Sequence, residues 1–281
     1  MAVFWSGVFP AVNIVLRSMG LFTSVFLRFA CAALVLLAIL YVRRGRLPGL
    51  SPRELVLVVG LGLMGITVYN TLFTAGLGLV EASRAALIVP TNPAFTALFA
   101  ALILKERLGG VRAVGVALCV LGALWVLGRG DPRTFASLEF GLGELILVLC
   151  IFIWSAYTLL GRVALSTLSP LALTAYVMAV GTLPLAVPAW IEVSPLSQVT
   201  WQSWVALGYL VVFGTVIPFL WFYEGVQALG AARASQFINL VPPLAVAESV
   251  LLLGEALTPA LYVGSALVVL GLYLTNRPRR S

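Results

Sequence analysis

The chain has 281 residues, 62% of them hydrophobic and 10% charged, with a formal charge of +7 and a mean hydropathy of +1.10. A water-soluble domain carries roughly a quarter of its residues as charges, so water is not the solvent for most of this surface. There is no His to act as metal ligand or general base, and Cys31, Cys119 and Cys150 sit in apolar runs without ligand spacing. No G-x-x-x-x-G-K phosphate loop occurs and no Lys/Arg tract is interleaved with aromatics, so neither metal, cofactor nor nucleic acid is expected.

Apolar runs long enough to cross a bilayer, about 20 residues each, follow one another along the chain. The first, near 1–17, aligns Ser6, Pro10, Asn13 and Arg17 on one face. It lacks the basic start and cleavage site of a signal peptide and reads as a first helix. The second, near 22–41, carries Arg28, and the third, near 55–79, aligns Thr67, Asn70, Thr71 and Thr74. The fourth, near 83–104, contains Asn92 and Thr96 beside Pro93, where a lost backbone hydrogen bond favours a kink. The fifth, near 110–128, has no strongly polar residue between Arg112 and Arg129, which suits packing or lipid.

Residues 129–142 form the natural join. Beyond it the sixth run, near 143–165, aligns Trp154, Ser155, Thr158 and Arg162. Runs near 170–191 and 202–227 follow, the latter with Trp221 and Glu224. The ninth, near 232–253, holds Ser235, Gln236, Asn239, Pro242 and Glu248, and the tenth covers 258–275. Glu248 falls on the far side of a helical wheel from Asn239.

Residues 65–122 align without gaps to 214–271 at an offset of 149, and 18 of the 58 pairs are identical, among them Gly65/Gly214, Arg84/Arg233, Pro93/Pro242 and Glu106/Glu255. Shared apolar composition does not readily supply matched Arg, Pro and Glu. Trp5-Ser6 falls on Trp154-Ser155 at the same offset, so the repeat fills most of two halves, 1–128 and 143–281. Five spans per unit insert the second upside down relative to the first, the arrangement of many secondary transporters. The offset also leaves the first helix roughly one to two turns short of a comfortable span, so that either residues upstream of Met1 belong to it or it is thinly anchored at the inner face.

The fold class expected is thus all-α integral membrane, with ten transmembrane helices in two inverted five-helix repeats. Lys and Arg are retained inside during insertion. With both termini inside, twelve basic residues, including Arg43, Arg44, Lys105, Arg107 and Arg162, lie at inner ends, against Arg17, Arg84, Arg129 and Arg133 at outer ends.

The run Gly214-Thr215 through Trp221-Phe222-Tyr223, with Gly230-Ala-Ala-Arg-Ala-Ser235, Asn239-Leu-Val-Pro242, Leu253-Gly-Glu255 and Leu257-Thr-Pro259, resembles the EamA-type pattern of the drug/metabolite transporter superfamily. The first half repeats it as Ala82-Ser-Arg-Ala-Ala-Leu87, Pro93 and Leu104-Lys-Glu-Arg-Leu108. Leu27-Arg28-Phe29 is similar to the family's second helix, and Trp154 with Tyr157, Thr158 and Arg162 to its sixth. The resemblance implies a ten-helix basket around a central cavity, helices five and ten to one side. It also implies movement of small metabolites, commonly amino acids and often outward, across a bacterial-type plasma membrane.

Polar side chains in lipid usually face the bundle interior. The candidate cargo contacts are therefore Ser6, Asn13, Asn70, Thr74, Asn92, Ser155, Thr158, Gln236 and Asn239, with Trp154 and Trp221 as aromatic walls. Arg28, Glu224 and Glu248 are candidates for an ion pair or for coupling, and Pro93 and Pro242 for paired kinks. The expected partners are a small-molecule cargo and membrane lipids, in a monomer or homodimer. An intramembrane enzyme acting on lipid-linked substrates and a passive channel are the alternatives. In intact cells, an impermeant thiol reagent should label a cysteine placed at position 135 and spare one at position 281; the reverse pattern overturns the orientation.

Overall fold

The computed structural model describes residues 1–89, 110–127, 130–131, 141–192, 195–229, 241–254, 256 and 258–275. Among these every regular element is helical. In chain order they are α1 (Ala2–Leu16), α2 (Leu21–Arg44), α3 (Pro52–Leu79), α4 (Ala82–Ile88), α5 (Gly110–Leu127), α6 (Leu142–Ala164), α7 (Pro170–Glu192), α8 (Trp201–Ala228), α9 (Val241–Leu253) and α10 (Pro259–Thr275). Five of them, α2, α3, α6, α7 and α8, are long and apolar enough to cross a membrane. Their outer faces carry bare Leu34, Val56 and Val205, with Trp190 and Trp201 exposed near helix ends, where amphipathic rings settle at the membrane interface.

Local chemistry sets the helix ends. Ser51 and Glu54 form a reciprocal capping box with Pro52 in the first turn of α3, which starts that helix earlier than its apolar run. Ser169 and Thr200 cap α7 and α8 through the backbone N–H of Ala172 and Ser203. The carboxylate of Glu192 at the end of α7 accepts from the N–H groups of Phe22 (3.1 Å) and Thr23 (2.7 Å), a negative charge at the positive end of α2. At its other end α2 takes Arg43 and Arg44 into its last turn and stops at Gly45, whose φ of 67° needs no side chain.

Helix pairing repeats itself under the 149-residue offset. α3 packs on α6 as α8 packs on α1, while α2·α7, α4·α9 and α5·α10 are pairs of equivalent helices. Individual contacts obey the same exchange. A Cβ on Gly65 would strike Tyr157, and one on its equivalent Gly214 would lie 3.0 Å from Val8, the equivalent of Tyr157. A Cβ on Gly122 meets Val268 at 2.9 Å and one on Gly271 meets Cys119 Sγ at 2.7 Å. Trp5 and Trp154, equivalent to each other, touch edge to face with ring centroids 6.0 Å apart. These are the contacts of two units related by a pseudo-twofold axis. α5 and α10 meet along small residues and hold a core of Val116, Cys119, Val268 and Leu272 separate from the main one.

Both α3 and α8 contain a wider π turn, Gly62–Val68 and Val212–Val216, at equivalent positions. In α3 this turn meets α7 backbone to backbone. A Cβ on Gly62 would lie 2.9 Å from the amide nitrogen of Gly181, and one on Gly181 2.5 Å from Ile66 Cβ. Gly181→Ala should therefore destabilise the chain by about 1–3 kcal/mol through overpacking. Gly60→Ala, on the exposed face of α3 with nothing within 4 Å, should be neutral or slightly stabilising. Thermal unfolding in detergent compares the two, and equal midpoints would refute the close approach.

Candidate functional site

Between α1, α2, α3, α6 and α8, with Val89 and Val241 closing it, lies a cavity of about 80 Å³. Its walls are rings. Trp5 and Phe9 stand one turn apart on α1, Tyr69 and Phe73 one turn apart on α3, and Trp154 and Phe219 come from the second half. Tyr69 stacks on Phe73 (5.7 Å) and meets Trp154 at 5.1 Å, while Phe9 sits edge-on to Phe73 at 5.6 Å. Such pairs fix ring orientation beyond simple burial.

Two polar groups reach this aromatic chamber among its described lining residues, Asn70 and Arg28. Arg28 is 4% exposed. Its Nε donates to Thr215 Oγ1 (2.7 Å) and its Nη2 to the Gly214 carbonyl (3.2 Å). Thr215 in turn donates to the Leu210 carbonyl five residues back (2.7 Å). The π turn in α8 thus supplies the acceptors, because a widened turn frees backbone carbonyls that a regular helix would use internally. In α3 the corresponding turn is closed by Asn70, whose Nδ2 donates to the Gly65 carbonyl. No carboxylate lies within ion-pair distance of Arg28 among the described residues; the one pair found there joins Arg84 to Glu144 (3.0 Å).

Of the residues singled out from sequence, Asn70 and Trp154 line the chamber. Thr74 is buried behind it, in a second void of about 10 Å³ shared with Arg28 and Ser24. Asn13, Ser155 and Thr158 donate to the carbonyls of Phe9, Ile151 and Trp154 one turn back in their own helices. Ser6 is buried away from the chamber, its Oγ 2.7 Å from the Val3 carbonyl and 2.9 Å from Glu248 Oε1. Trp221 is 49% exposed and stacks on Phe4 outside the chamber. Two helical residues after Phe219 turn about 200°, so the wall on α8 is Phe219. Glu224 is exposed. Pro242 lies in the first turn of α9 as described; Asn92, Pro93, Gln236 and Asn239 lie outside the described residues.

Sequence reasoning favoured amides and hydroxyls and so passed over Phe9, Tyr69, Phe73 and Phe219. The signal was present in the four-residue spacing of Trp5 with Phe9 and of Tyr69 with Phe73, which puts each pair on one helix face.

Residues 1–128 and 141–277 each match the model of the EamA-like transporter family. The chain belongs to that family. It is 32% identical over 246 residues to the uncharacterized transporter YyaM of Bacillus subtilis, covering 87% of this chain and 80% of that one. It is 28% identical to a protein of Streptantibioticus cattleyicolor named "Probable terminal-alkyne amino-acid exporter", covering 97% and 90% of the two chains. A solved crystal structure shares the fold with a TM-score of 0.70 at 21% identity, over 97% of this chain and 93% of that one.

This EamA-family protein is therefore a multi-pass membrane transporter and not an enzyme. A second, wider recess of about 570 Å³ opens where α4, α6 and α10 begin, lined by Glu81, Arg84, Glu144 and Thr258. The Arg84–Glu144 pair there ties the start of α4 to the start of α6. Asn70 serves the backbone as well as the chamber. Asn70→Leu should lose about 1 kcal/mol from the abandoned Gly65 carbonyl, read as a lower thermal midpoint. An unchanged midpoint would show that the π turn of α3 does not depend on that amide.

Proposed function

We propose that this transporter moves small metabolites bearing a carboxylate, amino acids foremost and outward, across the plasma membrane by alternating access. The observation that carries the reading is Arg28, a buried cation on an aromatic chamber with neutral acceptors and no carboxylate of the protein beside it. Hydrogen bonds to charged groups are worth about twice those between neutral ones. A cargo carboxylate that displaces the Gly214 carbonyl or Thr215 hydroxyl therefore gains energy at the guanidinium. The surrounding faces of Trp154, Tyr69 and Trp5 suit an apolar side chain and, by cation–π attraction, an ammonium group.

A volume of about 80 Å³ is roughly half that of the ~150 Å³ engineered cavity that admits a benzene. Cargo enters when helices part. The reciprocal contacts of the two halves support a rocking exchange between two such openings, with 1–128 and 143–281 as inverted five-helix units, 129–142 as their link and both termini cytoplasmic. The amino-acid class draws support from the Streptantibioticus relative.

The test compares neutral L-amino acids with their carboxamides, which lack the anionic group, by thermal shift and by counterflow in proteoliposomes. The acids should stabilise and exchange, and Arg28→Gln should weaken their binding by about ten- to a hundredfold for a lost charge-assisted hydrogen bond of ~1.5–3 kcal/mol. Carboxamides that bind as well as the acids, or an unaffected Arg28→Gln, would sink the assignment.

A further inference from the structure

Glu248 lines no described cavity, yet it sits half-buried against α1 in the middle of the apolar helix α9. Its Oε1 is 2.9 Å from Ser6 Oγ, which is also 2.7 Å from the Val3 carbonyl. A hydroxyl has one hydrogen to give. If it goes to Val3, as the shorter distance favours, Glu248 itself must be the donor to Ser6. If it goes to Glu248, two acceptor oxygens are left facing each other at 2.7 Å. The second carboxyl oxygen, Oε2, is buried without a hydrogen-bond partner, which an ionised carboxylate tolerates poorly and a neutral acid tolerates well.

Among the described residues no compensating cation is at hand. The elements packed against α9 are α4, α1 and α10. Their described titratable groups are Arg84 on α4, paired with Glu144, the amino group of Met1 just before α1, and the exposed Tyr262 and Tyr273 on α10. From α8, Tyr209 gives its hydroxyl to the Phe4 carbonyl (2.9 Å). None of the described basic nitrogens comes within 4.0 Å of Glu248. An ionised carboxylate inside the hydrocarbon layer without a partner is costly, and ionisable side chains placed there commonly serve proton relays.

We propose that Glu248 is the proton-carrying carboxyl of this transporter. In the conformation described it is protonated, its O–H donating to Ser6 Oγ and Ser6 to the Val3 carbonyl. When the α1–α9 contact opens to water, the O–H bond breaks, the proton passes to water on that side and the carboxylate becomes hydrated. Reprotonation from the other side restores the contact. One inward proton is coupled to one outward cargo when the cargo-free form crosses with the contact closed and Glu248 protonated, and the cargo-loaded form crosses with the contact open and the hydrated carboxylate ionised. This goes beyond the cargo assignment of Arg28 and rests on it only for the choice of cargo.

Two measurements test it. Infrared spectra of the reconstituted protein at neutral pH should show a carboxylic-acid carbonyl band that is missing in Glu248→Gln and displaced in Ser6→Ala. In proteoliposomes with a lumen one pH unit more acidic than the bath and the membrane potential clamped at zero, labelled neutral L-amino acids supplied outside should accumulate up to about tenfold in the wild type, the factor one proton per cargo allows. Glu248→Gln should still exchange cargo for cargo but show no response to the gradient. An acid band that survives in Glu248→Gln, or an equal gradient response in that variant, overturns the proposal. If no amino acid moves in the wild type while the band is lost in Glu248→Gln, the cargo reading fails and the protonated Glu248 stands.

Discussion

In a bilayer each backbone and charged group that leaves water must find its partner inside the protein, and the arrangement around Arg28 follows from that constraint. A guanidinium in the second helix needs acceptors, and a regular helix beside it would have none to spare. The π turn of α8 frees them, placing the Gly214 carbonyl and the Thr215 hydroxyl on Arg28. A Cβ on Gly214 would come within 3.0 Å of Val8 and 3.6 Å of Arg28 Nη2. The missing side chain keeps α1, α2 and α8 close enough for the chamber to form between them.

The scaffold is nearly symmetric but its chemistry is not. Under the 149-residue exchange Arg28 corresponds to Val177 and Glu248 to Phe99. Val177 is buried, with its carbonyl against Gly62, so the first-half π turn faces an apolar side chain where the second faces a cation. The turn in α3 accordingly satisfies itself through Asn70, and the turn in α8 through Thr215 and Arg28. In the proposed cycle the similarity of the two units supplies the two openings, while Arg28 and Glu248, which have no counterpart under the exchange, supply the difference between them.

Much of the fold was legible because lipid enforces a simple code. Apolar length gives the spans, and departures such as the early start of α3 trace to the Ser51–Glu54 box, which hydropathy ignores. The chamber was half legible. An amide is hard to satisfy locally, which pointed to Asn70, but Asn13, Ser155 and Thr158 can reach the carbonyl one turn back and so carry little information about facing. Aromatic rings are equally at home in cores, in walls and at the interface, and only the phase of α8 separates Phe219 from Trp221. A helical wheel set Glu248 apart from the polar stripe; it cannot show the serine that α1 brings to it.

The separation of Arg28 from Glu248 has an energetic consequence. Had the two been in contact, cargo carboxylate and coupling proton would compete for one ion pair, and each would report on the other through direct displacement. Here they lie on different contacts of α1, the cation facing the chamber that holds Trp5 and the acid facing Ser6, the next residue. Consecutive residues on a helix point about 100° apart. On the proposed roles α1 meets cargo on one side and the proton site on the other, and a ligand shifts a two-state element only by its differential affinity for the two states. In the proposed cycle a movement of α1 that opens the Ser6–Glu248 contact also displaces its neighbour Trp5 in the chamber wall, and through it the two sites bias one equilibrium without sharing an atom.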